Sequence, residues 1–259
     1  MKPPLTYYGG KQKLAHIILS LIPKHTLYGE PFFGGGAIFF AKALSQVEVI
    51  NDANGELINF YKVVKTKFKE LEREARITLH SRELYHKAVV IYQNPKLFNE
   101  IQRAWAVWVL ASQSFASKLN GHWGYDRGEN KTTKQVTQRR SLFIEEYASR
   151  LEKTQIECED ALHVIQSRDS KESFFYCDPP YFNSHKGHYR NYSEDDFEKL
   201  LELLSKIKGK FLLSSYPSDL LSKYVRKHKW FTKNIPMTLS VGGAKKKSKT
   251  EVLTANYPI

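Results

Sequence analysis

Cysteine is nearly absent: Cys158 and Cys177 are the two among 259 residues. Two thiols cannot build a disulfide framework. Both sit in apolar or mixed stretches and are read as buried thiols of a reducing cytoplasm. No CxxC and no HExxH occurs, which argues against a zinc site. Long apolar runs are also missing. A bilayer span needs about 20 such residues, and AWAVWVLA at 104–111 is far too short. The opening MKPPLTYYGGKQK is basic but has no apolar h-region, so no secretory signal is expected. No GxxxxGK[ST] occurs, which disfavours a nucleotide triphosphatase. The triplet Gly34-Gly35-Gly36 is not GxGxxG, so a dinucleotide pyrophosphate site is poorly supported. There is no internal repeat and no low-complexity tract.

What is present is ordinary globular chemistry with one bias. Apolar residues make up 41% and charged residues 26%, close to average usage. The length suits one large domain or a domain with an insertion. The bias is charge: 40 Lys and Arg against 27 Asp and Glu give +13. A field of that sign favours a polyanion. A merely soluble basic protein stays open at this point. A membrane surface is disfavoured, because the cations are spread and no basic amphipathic segment dominates.

Periodicity alternates along the chain. LAHIILSLI (14–22) reads as a helix ended by Pro23. TLYGEPFF (26–33) reads as a strand running into the Gly triplet, and AIFFAKAL (37–44) as a helix. VEVIND (47–52) is a strand ending in an acid, followed by a helix over 55–68. From about 69 to 150 helical periodicity continues without a convincing strand. NGHWGYDRGENKTTKQVTQRR (120–140) reads as a loop or hairpin. Trp105, Trp108 and Phe115 are read as core of this segment. After 154 strand and helix alternate again. SFFYC (173–177) is a strand, SEDDFEKLLELLSKI (193–207) a helix capped by Ser193, KFLLSSY a strand and DLLSKYVRKH a helix. Two last strands fall near 231–239 and 250–257. The pattern predicts a mostly parallel, doubly wound α/β sheet, with the middle segment as a helical insertion between the second and third strands.

Two places carry chemistry. Glycines between a strand and a helix let a ligand approach backbone closely, and Asp52, ending the next strand, can accept from ribose hydroxyls. A nucleoside-containing cofactor and a structural turn both fit. Asp178-Pro179-Pro180-Tyr181 follows FFYC. Prolines lack N–H groups, so this turn offers carbonyl acceptors. The Asp178 carboxylate and the Pro179 carbonyl can accept the two hydrogens of a nucleobase amine. That draws the nitrogen toward a tetrahedral state and frees its lone pair for attack. Tyr181 can stack on the base. A Pro-Pro turn capping a core strand is the plain alternative.

The chain resembles the Dam-like (alpha) group of DNA adenine-N6 methyltransferases. TYYGGKQKL (6–14), EPFFGGGAIFF (30–40), VINDANGELINFY (49–61), Asp160, DPPY (178–181), YSEDDFEKLLELL (192–204) and EVLTANY (251–257) match that family's motifs. The resemblance runs from end to end apart from the middle segment. It implies a Rossmann-like sheet and S-adenosylmethionine as cofactor, with S-adenosylhomocysteine as product and no metal. It divides the chain into a catalytic domain, 1–68 and 151–259, and a helical target-recognition insertion, 69–150. It implies cofactor contacts at Tyr7, Lys11, Glu30, Phe32, Gly34, Asp52, Asp160 and Asp178. Catalysis would fall to Asp178, Pro179, Pro180 and Tyr181.

The target amine lies inside a duplex stack, so the base must be extruded. Candidate DNA contacts are Lys118, Asn120, His122, Trp123, Tyr125, Arg127, Lys131, Lys134, Arg139 and Arg140. Beyond the insertion, they are His185, Lys186 and His188 after DPPY, and Lys245, Lys246 and Lys247. An exposed basic loop without base contact is the alternative for the insertion. GATC-methylating relatives carry NxxGxFNxPxG in the insertion. This chain has NGHWGYDRGENK instead, so the resemblance does not extend to a GATC target. Ala161 also stands where the family often has an aromatic. The partner implied is double-stranded DNA, with two roles open: a solitary methylase, or the modification half of a two-gene system beside a cognate restriction endonuclease acting on the same site. The expected state is a monomer or weak dimer in a prokaryotic or phage-infected cytoplasm. Transfer to cytosine N4, transfer to RNA, and a DNA-binding protein of this fold without turnover are the alternatives.

Overall fold

The computed structural model describes residues 1–183, 192–239 and 247–259. In chain order the helices and strands are α1 (Ala15–Leu21), β1 (Leu27–Glu30), α2 (Ala37–Ala41), β2 (Val47–Asn51), α3 (Gly55–Thr66), α4 (Phe68–Ile77), α5 (Arg82–Gln93), α6 (Glu100–Gln113), α7 (Lys131–Ser141), α8 (Glu146–Leu151), β3 (Thr154–Glu157), α9 (Ala161–Arg168), β4 (Ser173–Cys177), α10 (Glu194–Leu204), β5 (Lys210–Ser215), α11 (Asp219–His228), β6 (Phe231–Leu239) and β7 (Lys247–Ala255). The sheet has the order β3-β2-β1-β4-β5-β7-β6. β2, β1, β4 and β5 run parallel, and β7 lies antiparallel between β5 and β6. Strand order reverses between β1 and β4. Such a switch point opens a crevice at the carboxyl ends of the strands.

The chain divides into two compact units. One comprises residues 21–32, 44–51 and 159–259. Its central strand β4 reads SFFYC and is buried throughout, as a strand covered on both faces requires. Phe197, Leu200, Leu201 and Leu204 form one buried stripe of α10 and pack with Phe175, Phe211 and Trp230. The predicted Ser193 cap is a reciprocal capping box: Ser193 Oγ accepts from Asp196 N at 3.1 Å, and Asp196 Oδ2 accepts from Ser193 N at 2.9 Å. The Ser193 N–H and the Ser193 hydroxyl, which also donates to Oδ2 at 2.7 Å, hold the Asp196 carboxyl below the usual carboxylate range.

The other unit comprises residues 1–20, 33–43 and 52–158. Its core helix α6 is buried from Ala104 to Gln113 and starts at an Asn99–Gln102 capping box. Trp105 and Trp108 are core, as expected.

Four expectations need correction. Phe115 is 76% exposed, because α6 stops at Gln113 and Ala116 turns to a positive φ of 58°. Of the predicted loop or hairpin, residues 131–141 form α7. That helix buries only Val136, so its sequence carries no apolar period. Cys158 is exposed rather than buried, while Cys177 is buried. The predicted helix over 55–68 ends at Thr66, and α4 begins at Phe68, because Lys67 leaves helical geometry at φ −139°.

Candidate active site

In the unit containing the N-terminus, the glycine turn is tied by side chains. Gly36 has φ 66°, a conformation with little cost for glycine alone. A Cβ at Gly35 would lie 2.7 Å from the Tyr7 Cβ. Tyr7 therefore packs directly on this backbone, and no larger residue fits. Asp52 holds the turn with both oxygens: Oδ2 accepts from Gly34 N at 2.8 Å and Oδ1 from Asn54 N at 2.9 Å. Tyr61 donates to the Gly34 carbonyl at 2.9 Å. Asn54 caps α3 and donates to the Tyr92 hydroxyl. Burial raises the Asp52 pKa, and the two N–H donors lower it in part. Each oxygen keeps a second lone pair for a ligand hydroxyl. Lys11 lies in a 3₁₀ turn and donates to the Gly9 carbonyl at 3.2 Å.

In the unit containing the C-terminus, β1 ends in Glu30, 3% exposed, whose Oε1 accepts the Tyr28 hydroxyl at 2.5 Å. Phe32 meets Tyr192 edge to face, with ring centroids 6.3 Å apart. Asp160 is exposed and caps α9, accepting from Leu162 N and His163 N at 2.9 and 3.1 Å. Sequence reasoning missed Asn51. It is buried, donates to the Pro31 and Glu159 carbonyls at 3.0 Å each, and accepts from Glu159 N at 2.8 Å. An amide ending an apolar strand was the available signal.

Asp178 follows β4, and its Oδ1 accepts the Tyr181 hydroxyl at 3.0 Å. The same hydroxyl donates to Glu251. Rings of Tyr181 and Tyr216 are 4.4 Å apart at 65°. Burial, with Asp178 and Glu251 beside it, raises the Tyr181 pKa, so the phenol remains a donor.

The candidate DNA residues fall into three sets. Trp123 and Tyr125 stack at 5.6 Å, with Arg82 4.8 Å over Trp123 and Arg127 5.9 Å from Tyr125. Trp123 is pinned by Gln113 and His80, and Tyr125 is 50% exposed. Lys118 lies 4.7 Å over the Tyr8 ring. Asn120, His122, Lys131 and Lys134 are exposed, with Lys131 paired to Glu129. Arg139 and Arg140 instead turn to backbone carbonyls: Arg139 to Ser112 at 2.5 Å, Arg140 to Thr78 at 3.2 Å. His185, Lys186, His188, Lys245 and Lys246 lie outside the described residues, and Lys247 opens β7. Among the described residues no group of three His, Cys, Asp or Glu is arranged to hold a metal, and no helix is long and apolar enough to cross a membrane.

A carboxylate turn at the end of β4, beside the switch point between β1 and β4, is where an α/β fold takes ligands, at the carboxyl ends of its strands. A family model described as D12 class N6 adenine-specific DNA methyltransferase matches residues 7–237. The chain belongs to that family, whose reaction is N6 methylation of adenine in DNA with S-adenosylmethionine as methyl donor. The Type II methyltransferase M1.LlaDCHI of Lactococcus lactis subsp. cremoris is 28% identical, over 99% of this chain and 96% of that protein. The DNA adenine methylase of Escherichia coli K12 is 25% identical, over 98% and 95%. The Type II methyltransferase M.MjaIII of Methanocaldococcus jannaschii is 27% identical, over 86% and 87%.

Proposed function

We propose that this protein is a site-specific methyltransferase acting on the N6 amine of an adenine extruded from double-stranded DNA. The observation that carries the reading is the Asp178–Tyr181 turn at the end of β4, with its tyrosine held by two carboxylates. When bound, S-adenosylmethionine supplies a methyl group on a sulfonium, already activated for transfer. The glycine turn suits such a group: Gly35 has no room for a side chain, and Asp52 beside Gly34 offers a carboxylate.

Residue roles follow from chemistry. Asp52 takes the ribose hydroxyls beside Gly34. Tyr7, Lys11, Glu30 and Phe32 serve the methionine end and the turn, and Asp160 the cofactor adenine. The Asp178 carboxylate and the Pro179 carbonyl accept the two target amine hydrogens. Pro180 keeps the turn rigid, and Tyr181 stacks on the base. Held this way, the nitrogen would present its lone pair to the methyl carbon; the carbon–sulfur bond would break to leave the neutral thioether S-adenosylhomocysteine, and the proton the amine sheds would pass to water.

The domain reading places catalysis in 1–68 and 151–259 and target recognition in 69–150. Within the latter, Trp123, Tyr125 and Arg127 carry the exposed stacked face, and the surrounding cations meet phosphates, which position while base edges specify. Arg139 and Arg140 brace carbonyls of the same segment. The cations of 185–188 and 245–247 serve the backbone as well. A monomer or weak dimer in a prokaryotic or phage-infected cytoplasm, acting alone or beside a restriction endonuclease of the same site, fits this reading.

The test is incubation with S-adenosylmethionine and unmethylated genomic DNA, followed by sequencing that reads methylation directly. The expected result is N6-methyladenine confined to one short motif. Tight duplex binding with no mark on DNA would favour the binding-protein alternative.

A further inference from the structure

Glu251 has no role in the reading so far. It is 5% exposed on β7, and its carboxylate accepts the Tyr181 hydroxyl. Ser215 pairs with Val252, so Glu251 sits just past the carboxyl end of β5. Two residues along, on the same face of the strand, Lys249 donates to the Tyr216 hydroxyl at 3.2 Å and lies 4.6 Å over its ring. β7 thus grips both tyrosines: Glu251 holds Tyr181, Lys249 holds Tyr216, and the two rings meet edge to face.

The Tyr181 hydroxyl has one hydrogen and two carboxylates on it, Asp178 at 3.0 Å and Glu251. A single O–H cannot donate fully to both. Donation to Glu251 leaves more of the Asp178 carboxylate to a target amine. With no acceptor at 251, the hydroxyl turns wholly onto Asp178 and competes with that amine for the same oxygen.

We propose that Glu251 is a positioning residue for methyl transfer: it draws the Tyr181 hydroxyl away from Asp178 and fixes the Tyr181 ring from β7. This rests on the proposed role of Asp178–Tyr181. It makes a sign-specific claim, because removing the hydroxyl should relieve the loss of the carboxylate.

The experiment measures single-turnover methyl transfer and duplex affinity for the wild type, Glu251→Met, Glu251→Gln, Tyr181→Phe and the Tyr181→Phe/Glu251→Met pair. Thermal melts confirm folding. Glu251→Met, of matching length without an acceptor, should slow transfer about tenfold or more and leave DNA affinity within threefold. Glu251→Gln keeps an acceptor oxygen and should stay within threefold of wild type. In the Tyr181→Phe background, Glu251→Met should cost nothing further. If Glu251→Met does not fold, Glu251→Asp, whose carboxylate falls short of the hydroxyl, takes its place with the same expectation. Equal losses in both backgrounds would overturn the proposal. A wild type that transfers no methyl would overturn the reading beneath it instead.

Discussion

Asp52 offers the sharpest energetic test. Its carboxylate accepts two backbone N–H groups, from Gly34 at 2.8 Å and Asn54 at 2.9 Å. Asp52→Ala leaves both donors without that partner. A hydrogen bond to a charged acceptor contributes about 1.5–3 kcal/mol. Burial of the carboxylate offsets part of this, since its pKa is raised despite both bonds. The net loss should be about 2 kcal/mol, read as the shift in urea midpoint at pH 7. Asp52→Asn keeps one acceptor and should lose about half. S-adenosylmethionine affinity, by titration calorimetry, should fall at least tenfold for the alanine variant.

The pH dependence follows from the same geometry. A raised folded-state pKa means the folded protein holds the Asp52 proton more tightly than the unfolded chain. This group's contribution is fully present below the ordinary carboxylate pKa and is lost as pH rises through the raised value. Asp52→Asn does not titrate, so its stability relative to wild type should rise across that window. Alanine within about 0.5 kcal/mol of wild type, a shift typical of an uninvolved surface site, would refute the turn-holding role. Lost stability with unchanged cofactor affinity would refute the ribose role alone.

Three further predictions concern packing and reactivity. Gly35→Ala drives a Cβ to 2.7 Å from Tyr7 and should destabilise by about 1–3 kcal/mol in urea. Gly55→Ala, whose Cβ meets only Cys158 Sγ at 3.8 Å at the start of α3, should be neutral or stabilise by about 0.5 kcal/mol. An aromatic disulfide reagent should titrate one thiol, Cys158, in the native protein, and Cys177 only after unfolding. Cys177 is buried, and burial raises its thiol pKa. Two fast native thiols would contradict that burial.

The sequence displayed what is written locally. Ser193 with three acids behind it announced α10, and the apolar FFYC run before Asp178 announced a buried strand. Long-range partners left no local trace. Glu251 lies 70 residues from the Tyr181 hydroxyl it accepts, and Asn51 bonds a segment 108 residues away. α7 was hidden for a different reason. One buried residue, Val136, makes no period, so its helix shows only once placed against the rest of its unit. Cys158 and Phe115 misled because residue type is a weak guide to burial at an element's end.

The most direct test of the catalytic claim sets two numbers side by side for the wild type and Asp178→Ala: the single-turnover rate of methyl transfer to duplex DNA, and the affinity for that duplex. On the proposed reading Asp178 receives the amine, and DNA affinity rests on other residues. The expected result is a rate reduced at least a thousandfold, with affinity within threefold. A variant that still transfers methyl groups within threefold of wild type would contradict the assignment of Asp178 as the residue that receives the target amine.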